Sequence, residues 1–419
     1  MKVANKLAGA KTFKVDETVD FMVKEITDIC NDIGPRAPGS PQELKAQEKM
    51  AESLKQWSDD VQTEEFTVHR QAFMGFIPFT VALGILASVM YWTGNPIVGI
   101  ILVIVGLIPL VLEFVMYKQF IDPLFIGHPS HNVIAKRNAT GEAKKRIIYV
   151  GHADSQYEWT LNYHLGGIGM KAVLIPAVVG MFVCLGANIA KFVVFDCMGI
   201  VNSAFWNIFL NKILFIALII FVPFELAFLL FQSYTKSVPG ANDNLTGCYC
   251  SMGVLKELAE ADIRFEDTEV WAIMSGSEEA GLRGAKAYAK AHADELKEIE
   301  TVVIACDTVR DLECIAVYDR DLSGTLKHDA GAKKLMKDAG TNCGLDLHYE
   351  SVYIGGTDAA AFTQQGIKAT GFAAMDPTPP RYYHTRLDNP EALVPEALKV
   401  ALEVMVESAC LYAENGLDA

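Results

Sequence analysis

The chain has no surplus of positive charge. Its 36 lysines and arginines stand against 51 aspartates and glutamates in 419 residues, a formal net charge of -15. That balance argues against nucleic acid as a partner, and against adhesion to anionic lipid through a basic patch. There is no internal repeat, low-complexity tract or long linker, so the chain does not read as an array of small modules. The nine cysteines are odd in number and follow no framework spacing, which excludes a disulfide scaffold and suits a reducing compartment. The stretch Met1-Lys-Val-Ala-Asn-Lys-Leu-Ala-Gly-Ala-Lys lacks the apolar core of a signal peptide.

Long apolar runs, by contrast, are present. They extend from about Phe73 to Trp92, Pro96 to Tyr117, Ala172 to Phe195 and Ile208 to Phe231. Each is near the ~20 residues that cross a bilayer core as a helix, and none shows a polar face. The first two are separated by Thr-Gly-Asn and read as a tight hairpin. The expected organisation is therefore a discontinuous main domain (1–72, 118–171 and 232–419) interrupted by two transmembrane hairpins (73–117 and 172–231). Each hairpin returns the chain to the side it left. Arg70, Lys118, Lys171 and Lys236 flank the spans on that side, against Lys191 and Lys212 on the other, so the positive-inside rule favours a cytoplasmic main domain in an integral membrane protein. Two acids lie inside the runs. Glu113 is close enough to Tyr117 to reach the interface, whereas Glu225, near Pro223, is deeper and by default a functional candidate.

Outside the spans, five residues of metal-binding type are His152, Asp243, Glu279, Asp307 and His384. All but Asp243 follow apolar runs that read as buried strands, and strand carboxyl ends line the ligand crevice of an open α/β sheet. Two imidazoles and three carboxylates suit zinc-type ions, and five donors exceed what one tetrahedral zinc uses. Two ions sharing one carboxylate account for the surplus. Asp154 is placed to orient the His152 ring. Of the adjacent pair Glu278 and Glu279, one can bind metal while the other serves as general base.

These residues sit in stretches that, taken in order, resemble the dinuclear zinc aminopeptidases, whose relatives include glutamate carboxypeptidases and glutaminyl cyclases. The stretches are Ile33-Gly-Pro-Arg-Ala-Pro-Gly-Ser-Pro-Gln-Glu, His131-Asn-Val-Ile-Ala, Val150-Gly-His-Ala-Asp-Ser and Pro239-Gly-Ala-Asn-Asp-Asn-Leu-Thr-Gly. Gly276-Ser-Glu-Glu-Ala-Gly-Leu-Arg-Gly-Ala, Cys306-Asp307, Gly356-Thr-Asp-Ala-Ala-Ala-Phe and Tyr383-His-Thr-Arg-Leu-Asp follow. The resemblance implies an α/β fold with a mostly parallel mixed sheet flanked by helices. It implies two Zn2+ or similar divalent ions, with Asp243 bridging, His152 and Asp307 on one ion, and Glu279 and His384 on the other. Glu278 would be the general base and Asp154 would steer His152. Asp388 would steer His384 or cap a helix. Asp358 is followed by Ala359 where family members usually carry histidine.

The reaction so implied is hydrolysis of a peptide bond by metal-activated water, most simply removal of amino-terminal residues from a peptide substrate. A glutaminyl-cyclase-like transferase and a non-catalytic, receptor-like membrane protein are the alternatives. Tyr353, Tyr382 and Tyr383 are expected near the site. Cys248 and Cys250 are expected in the core, on an amphipathic helix from Asn244 to Glu260, and a carboxyl-terminal helix is expected from Pro390 to Asn415.

Overall fold

The computed structural model describes residues 1–8 and 11–417. Two compact units emerge from its contacts. The first comprises Met1–Arg70, Ile126–Glu158 and Thr235–Ala419, and the second Gln71–Phe125 and Trp159–Tyr234.

The first unit is built on one mixed sheet. Its strands are β1 (Asp60–Val68), β2 (His128–Arg137), β3 (Lys145–His152), β4 (Thr268–Ser275), β5 (Glu300–Val309), β6 (Ile315–Asp321), β7 (Leu326–Lys327), β8 (His348–Ser351) and β9 (Lys368–Ala374). Their order is β1-β2-β4-β3-β5-β9-β6-β7, with β8 beside β6. The central strands β4, β3, β5 and β9 are parallel. The antiparallel pairs β1–β2, β2–β4 and β6–β9 flank them.

Alternation along each central strand divides the core between the two faces. Ile147 and Tyr149 of β3, with Val302 and Ile304 of β5, point to one side. There they meet the helices Val15–Asp28, Gly247–Glu260 and Pro395–Asn415 through Met22, Leu255 and Leu402. Ile148, Val150 and Val303 point to the other side, against Tyr288 of the helix Arg283–Ala291 and Phe362 of the helix Asp358–Gln364. Phe362 has no solvent exposure, and burying a side chain of that size contributes about 1.5–3 kcal/mol. Such double coverage explains why the central strands read as continuous apolar runs.

Two elements differ from their expected form. The helix expected to start at Asn244 begins at Gly247, after a turn Ala241–Thr246 in which Asp243 and Asn244 leave helical geometry. It is not amphipathic, because sheet and neighbouring helices bury every residue from Gly247 to Leu258. The last helix starts at Pro395, since Asn389 caps a separate short turn, Pro390–Ala392.

The second unit is helical. Among the described residues, four helices are long and apolar enough to cross a membrane: Ala72–Thr93, Pro96–Val115, Thr160–Cys197 and Ala204–Phe228. Gly94, in the left-handed conformation, ends the first, and Pro96 starts the second at a position where its missing N–H costs nothing. The third starts at Thr160, ahead of Ala172, and Gly166 breaks its backbone at φ 70°. Glu113 is fully buried at the end of the second helix. It accepts the Phe120 and Ile121 amides at 2.9 and 3.2 Å, closing the chain's exit from the second helix.

Candidate metal centre

Five chain segments converge at the carboxyl ends of the central strands. His152 is the last residue of β3, Asp307 lies near the end of β5, and Glu278 and Glu279 follow β4. His384 lies in the loop after β9, and Asp243 arrives on the turn before the helix Gly247–Glu260. Two glycines allow that turn to come close. A Cβ at Gly151 would stand 2.4 Å from the Cys248 nitrogen, and one at Gly247 would stand 2.1 Å from the Cys306 carbonyl oxygen. Only bare backbone lets this helix start directly against β3 and β5.

Asp243 is the centre of the cluster. Its Oδ1 lies 3.2 Å from His152 Nε2, and its Oδ2 lies 2.8 Å from His384 Nε2. Glu279 Oε1 is 3.3 Å from His384 Nε2, and Asp307 Oδ1 is 3.8 Å from His152 Nε2. Two sets of three therefore form, His152–Asp243–Asp307 and Asp243–Glu279–His384, each with its donor atoms within 4.8 Å of one another. They share Asp243, with one oxygen directed to each. A third set, His152–Glu278–Glu279, meets the same distance and brings Glu278 to the same centre.

The surroundings fix these groups. Asp154, wholly buried, lies 3.3 Å from His152 Nδ1 and accepts the Glu278 and Glu279 amides at 3.0 Å each. One carboxylate thus ties the β3 end to the β4 loop. Asp388 acts on Asp243 rather than on His384. It accepts the backbone amides of Asn242 and Asp243 at 2.8 and 3.0 Å and the Asn242 side chain at 2.7 Å. Asp358, below the centre, accepts the Ser275 hydroxyl. Three non-glycine residues at the site have left-handed backbone: Ser277 (φ 53°), Thr308 (φ 41°) and His384 (φ 56°). Each such residue costs on the order of 1–3 kcal/mol and persists where its surroundings over-determine it.

Sequence reasoning missed several contributors. Gln156 donates to Glu279 Oε2 at 2.6 Å, and Glu158 receives Arg386 in a two-pronged pair at 2.6 Å on each oxygen. His152, Asp154, Gln156 and Glu158 are therefore alternate residues of one extended segment, each engaging a different part of the centre. Period-two spacing of polar residues beyond β3 was the available signal. Arg36, fully buried, donates to the Ala153, Pro239 and Gly240 carbonyls at 2.7, 2.7 and 2.8 Å. Glu43 accepts the Gly39 and Ser277 amides and the Ser130 hydroxyl. Its Ser-Pro-Gln-Glu context is a helix-capping pattern visible in sequence.

Of the three tyrosines, Tyr383 stacks on His384 with ring centroids 3.7 Å apart. The Tyr382 hydroxyl donates to Asp311 at 2.9 Å, and Tyr353 is 71% exposed, away from the centre. Cys248 and Cys250 are buried core residues.

Burial and the crowding of like charges raise the proton affinity of several of these groups. Burial pushes Glu278 well above the carboxylate range against the pull of His152, helped by Glu279, Asp358 and Asp307. Burial likewise raises Glu279 to about 7 and Asp358 to about 7. Burial opposes protonation of His384, but Glu279 and Asp243 lift it to about 10. Asp243 is held well below its usual value; desolvation opposes this, and the field of His384 and His152 prevails. Asp243 Oδ2 and Glu279 Oε1 are buried with no well-directed hydrogen bond. A buried group of acids with two imidazoles, sharing one two-sided carboxylate, has the donor chemistry of a pair of zinc-type ions. The residues fit the implied metals.

Residues 230–409 match the family model described as Peptidase family M28. That segment holds Asp243, Glu278, Glu279, Asp307 and His384, and His152 lies upstream of it. No curated protein matches the chain. Among solved structures the chain is similar to "BSAP, a zinc aminopeptidase from Bacillus subtilis", at 15% identity and TM-score 0.53 over 94% of each chain. An aminopeptidase from Aneurinibacillus sp. strain AM-1 aligns at 14% identity and TM-score 0.56, covering 98% of this chain and 96% of that one. A Bacteroides thetaiotaomicron glutaminyl cyclase bound to N-acetylhistamine aligns at 13% identity and TM-score 0.54, covering 94% and 97%. The mixed sheet with its flanking helices is the fold these proteins share.

Proposed function

We propose that the chain is a membrane-embedded dinuclear zinc peptidase of M28 type that removes amino-terminal residues from peptides. The observation that carries this reading is the two-sided placement of Asp243 between two complete donor sets. His152, Asp243 and Asp307 would hold one ion, and Asp243, Glu279 and His384 the other. Bound there, two divalent ions supply Lewis acidity toward a scissile carbonyl and lower the pKa of water.

Glu278 is the proton carrier. Lying 3.8 Å from His152 Nε2 and outside the two donor sets that share Asp243, it would take a proton from the attacking water and deliver it to the departing amine nitrogen. Asp154 keeps Glu278 and the His152 ring in register through the contacts already described. Burial of every member of the group except the partly exposed Asp307 limits access of bulk water and strengthens these interactions.

Membrane embedding rests on the four apolar helices, whose outer faces carry exposed Phe79, Ile101, Ile175 and Ile216. Water solvates such faces poorly, while lipid does so at no cost. The lysine and arginine bias flanking the spans supports a cytoplasmic catalytic unit. The test is hydrolysis of aminoacyl and amino-blocked peptides by detergent-purified protein. Cleavage confined to free amino termini supports the reading. Cyclisation of amino-terminal glutamine without peptide cleavage would assign the centre to cyclase chemistry instead.

A further inference from the structure

Glu225 lies in the last apolar helix, 2% exposed, and its Oε2 has no hydrogen-bond partner. Two glycines make room for it. A Cβ at Gly84, on the first helix, would stand 3.7 Å from Oε2, and one at Gly180, on the third, would stand 3.1 Å from Oε1. The carboxyl group thus sits between three helices rather than facing outward.

A line of polar groups continues from it. One turn beyond the glycines, Ser88 Oγ and Cys184 Sγ are 3.5 Å apart. A further turn along, Asn188 donates to the Cys184 carbonyl at 2.9 Å, and its Oδ1 is buried without a partner. Lys191 ends the line with Nζ on the Tyr91 carbonyl at 2.7 Å. At 1.5 Å per residue, Lys191 is roughly 16 Å along the helix from Gly180. It cannot neutralise Glu225. Of the titratable groups on the packed faces of the first and third helices, Cys184 is near, while Tyr91 and Lys191 are turns away.

A lone carboxylate at that depth is costly unless a counter-charge joins it. Its neighbours are neutral, so one negative charge calls for one positive charge. That stoichiometry disfavours a divalent ion, whose second charge would stay uncompensated. We propose that Glu225, seated between Gly84 and Gly180, is the binding site for a single small monovalent cation, either a proton or an alkali ion. This rests on the membrane-embedded reading of the four helices, but not on the chemistry of the metal centre.

The test uses full-length protein in detergent and a hydrophobic carbodiimide. A protonated carboxylic acid adds its O–H across a carbodiimide C=N bond, forming an O-acylisourea with no leaving group; a carboxylate or ion-bound carboxylate does not. Labelling of Glu225 is read by peptide mass spectrometry from about pH 5 to about pH 9, in alkali-free buffer and with added sodium or potassium. Glu225→Gln is the negative control. A fall of at least tenfold as pH rises identifies the proton as ligand. Suppression at constant pH by sodium or potassium identifies an alkali ion. Labelling indifferent to both, or absent from native alkali-free protein yet present after unfolding, overturns the proposal. Carbonate extraction of membranes tests embedding separately, so its failure is distinguishable from failure of the cation site.

Discussion

Replacing Asp154 with asparagine changes one oxygen to an NH2 group and almost nothing in shape. In the native protein its two oxygens accept the Glu278 and Glu279 amides at 3.0 Å each, and Oδ1 also lies 3.3 Å from His152 Nδ1. Asparagine retains one acceptor, so one of the two amides must face an N–H. The site is wholly buried, and no solvent can replace the lost acceptor. An unsatisfied buried donor costs about 1–3 kcal/mol, and here the lost bond was charge-assisted. The second consequence concerns metal. A carboxylate behind a ligating imidazole fixes its orientation and raises its basicity, and its loss lowers metal affinity roughly 10–100-fold. Asp154→Asn should therefore lower both thermal stability and zinc affinity, the latter measured by competition with a chromophoric chelator. Wild-type zinc affinity in a folded Asp154→Asn protein would refute the reasoning, because it would mean that Asp154 positions nothing at the centre.

Further expectations follow from the same geometry. Gly247→Ala places a Cβ against the Cys306 carbonyl where neither backbone can yield, so thermal unfolding should show a loss of about 1–3 kcal/mol or more. Glu158→Gln breaks the pair with the half-exposed Arg386, so stability should change by no more than about 1 kcal/mol after solvent screening. The His384 loop should loosen nonetheless, read as faster zinc release to a chelator. Metal-free protein should lose stability as pH rises. Glu279 and Asp358, raised to about 7, and Asp388, raised to about 6, favour the folded state while protonated, as does His384, raised to about 10. Their stabilisation is complete below the unfolded carboxylate values near ~4 and declines as pH climbs through the folded values. Depressed Asp243 acts in the opposite sense, but only at acid pH. Saturating zinc should abolish this decline, and zinc affinity should rise with pH because the ligands must shed protons. A melting temperature of metal-free protein that is flat from about pH 5 to about pH 8 would contradict the raised values.

The sheet and the convergence of the five metal-type residues were legible because each depends on short-range pattern. Runs such as Thr301-Val-Val-Ile-Ala-Cys alternate between two covered faces, and their ends locate Asp307, His152 and the Glu278–Glu279 loop. What sequence could not convey depends on contacts between distant segments. Asp388 reaches Asn242 and Asp243 across more than a hundred residues, so its proximity to His384 in sequence misdirected its assignment. The helix Gly247–Glu260 looked amphipathic because Lys256 and Glu257 interrupt it. Both are buried, Glu257 accepting the Thr18 hydroxyl and Lys14 amide, so the polar face is satisfied inside the protein. Gln156 and Glu158 escaped notice because nothing local distinguishes them from solvated polar residues. Their partners, Glu279 and Arg386, come from other segments.

Metal content and turnover of Glu278→Gln, measured together on detergent-purified protein, bear most directly on a centre of two ions with a separate proton carrier. About two zinc-type ions per chain in both wild type and variant, with peptide cleavage abolished only in the variant, is the predicted result. Loss of an ion from the variant would make Glu278 a ligand, and undiminished cleavage would remove it from the chemistry; either contradicts the assignment.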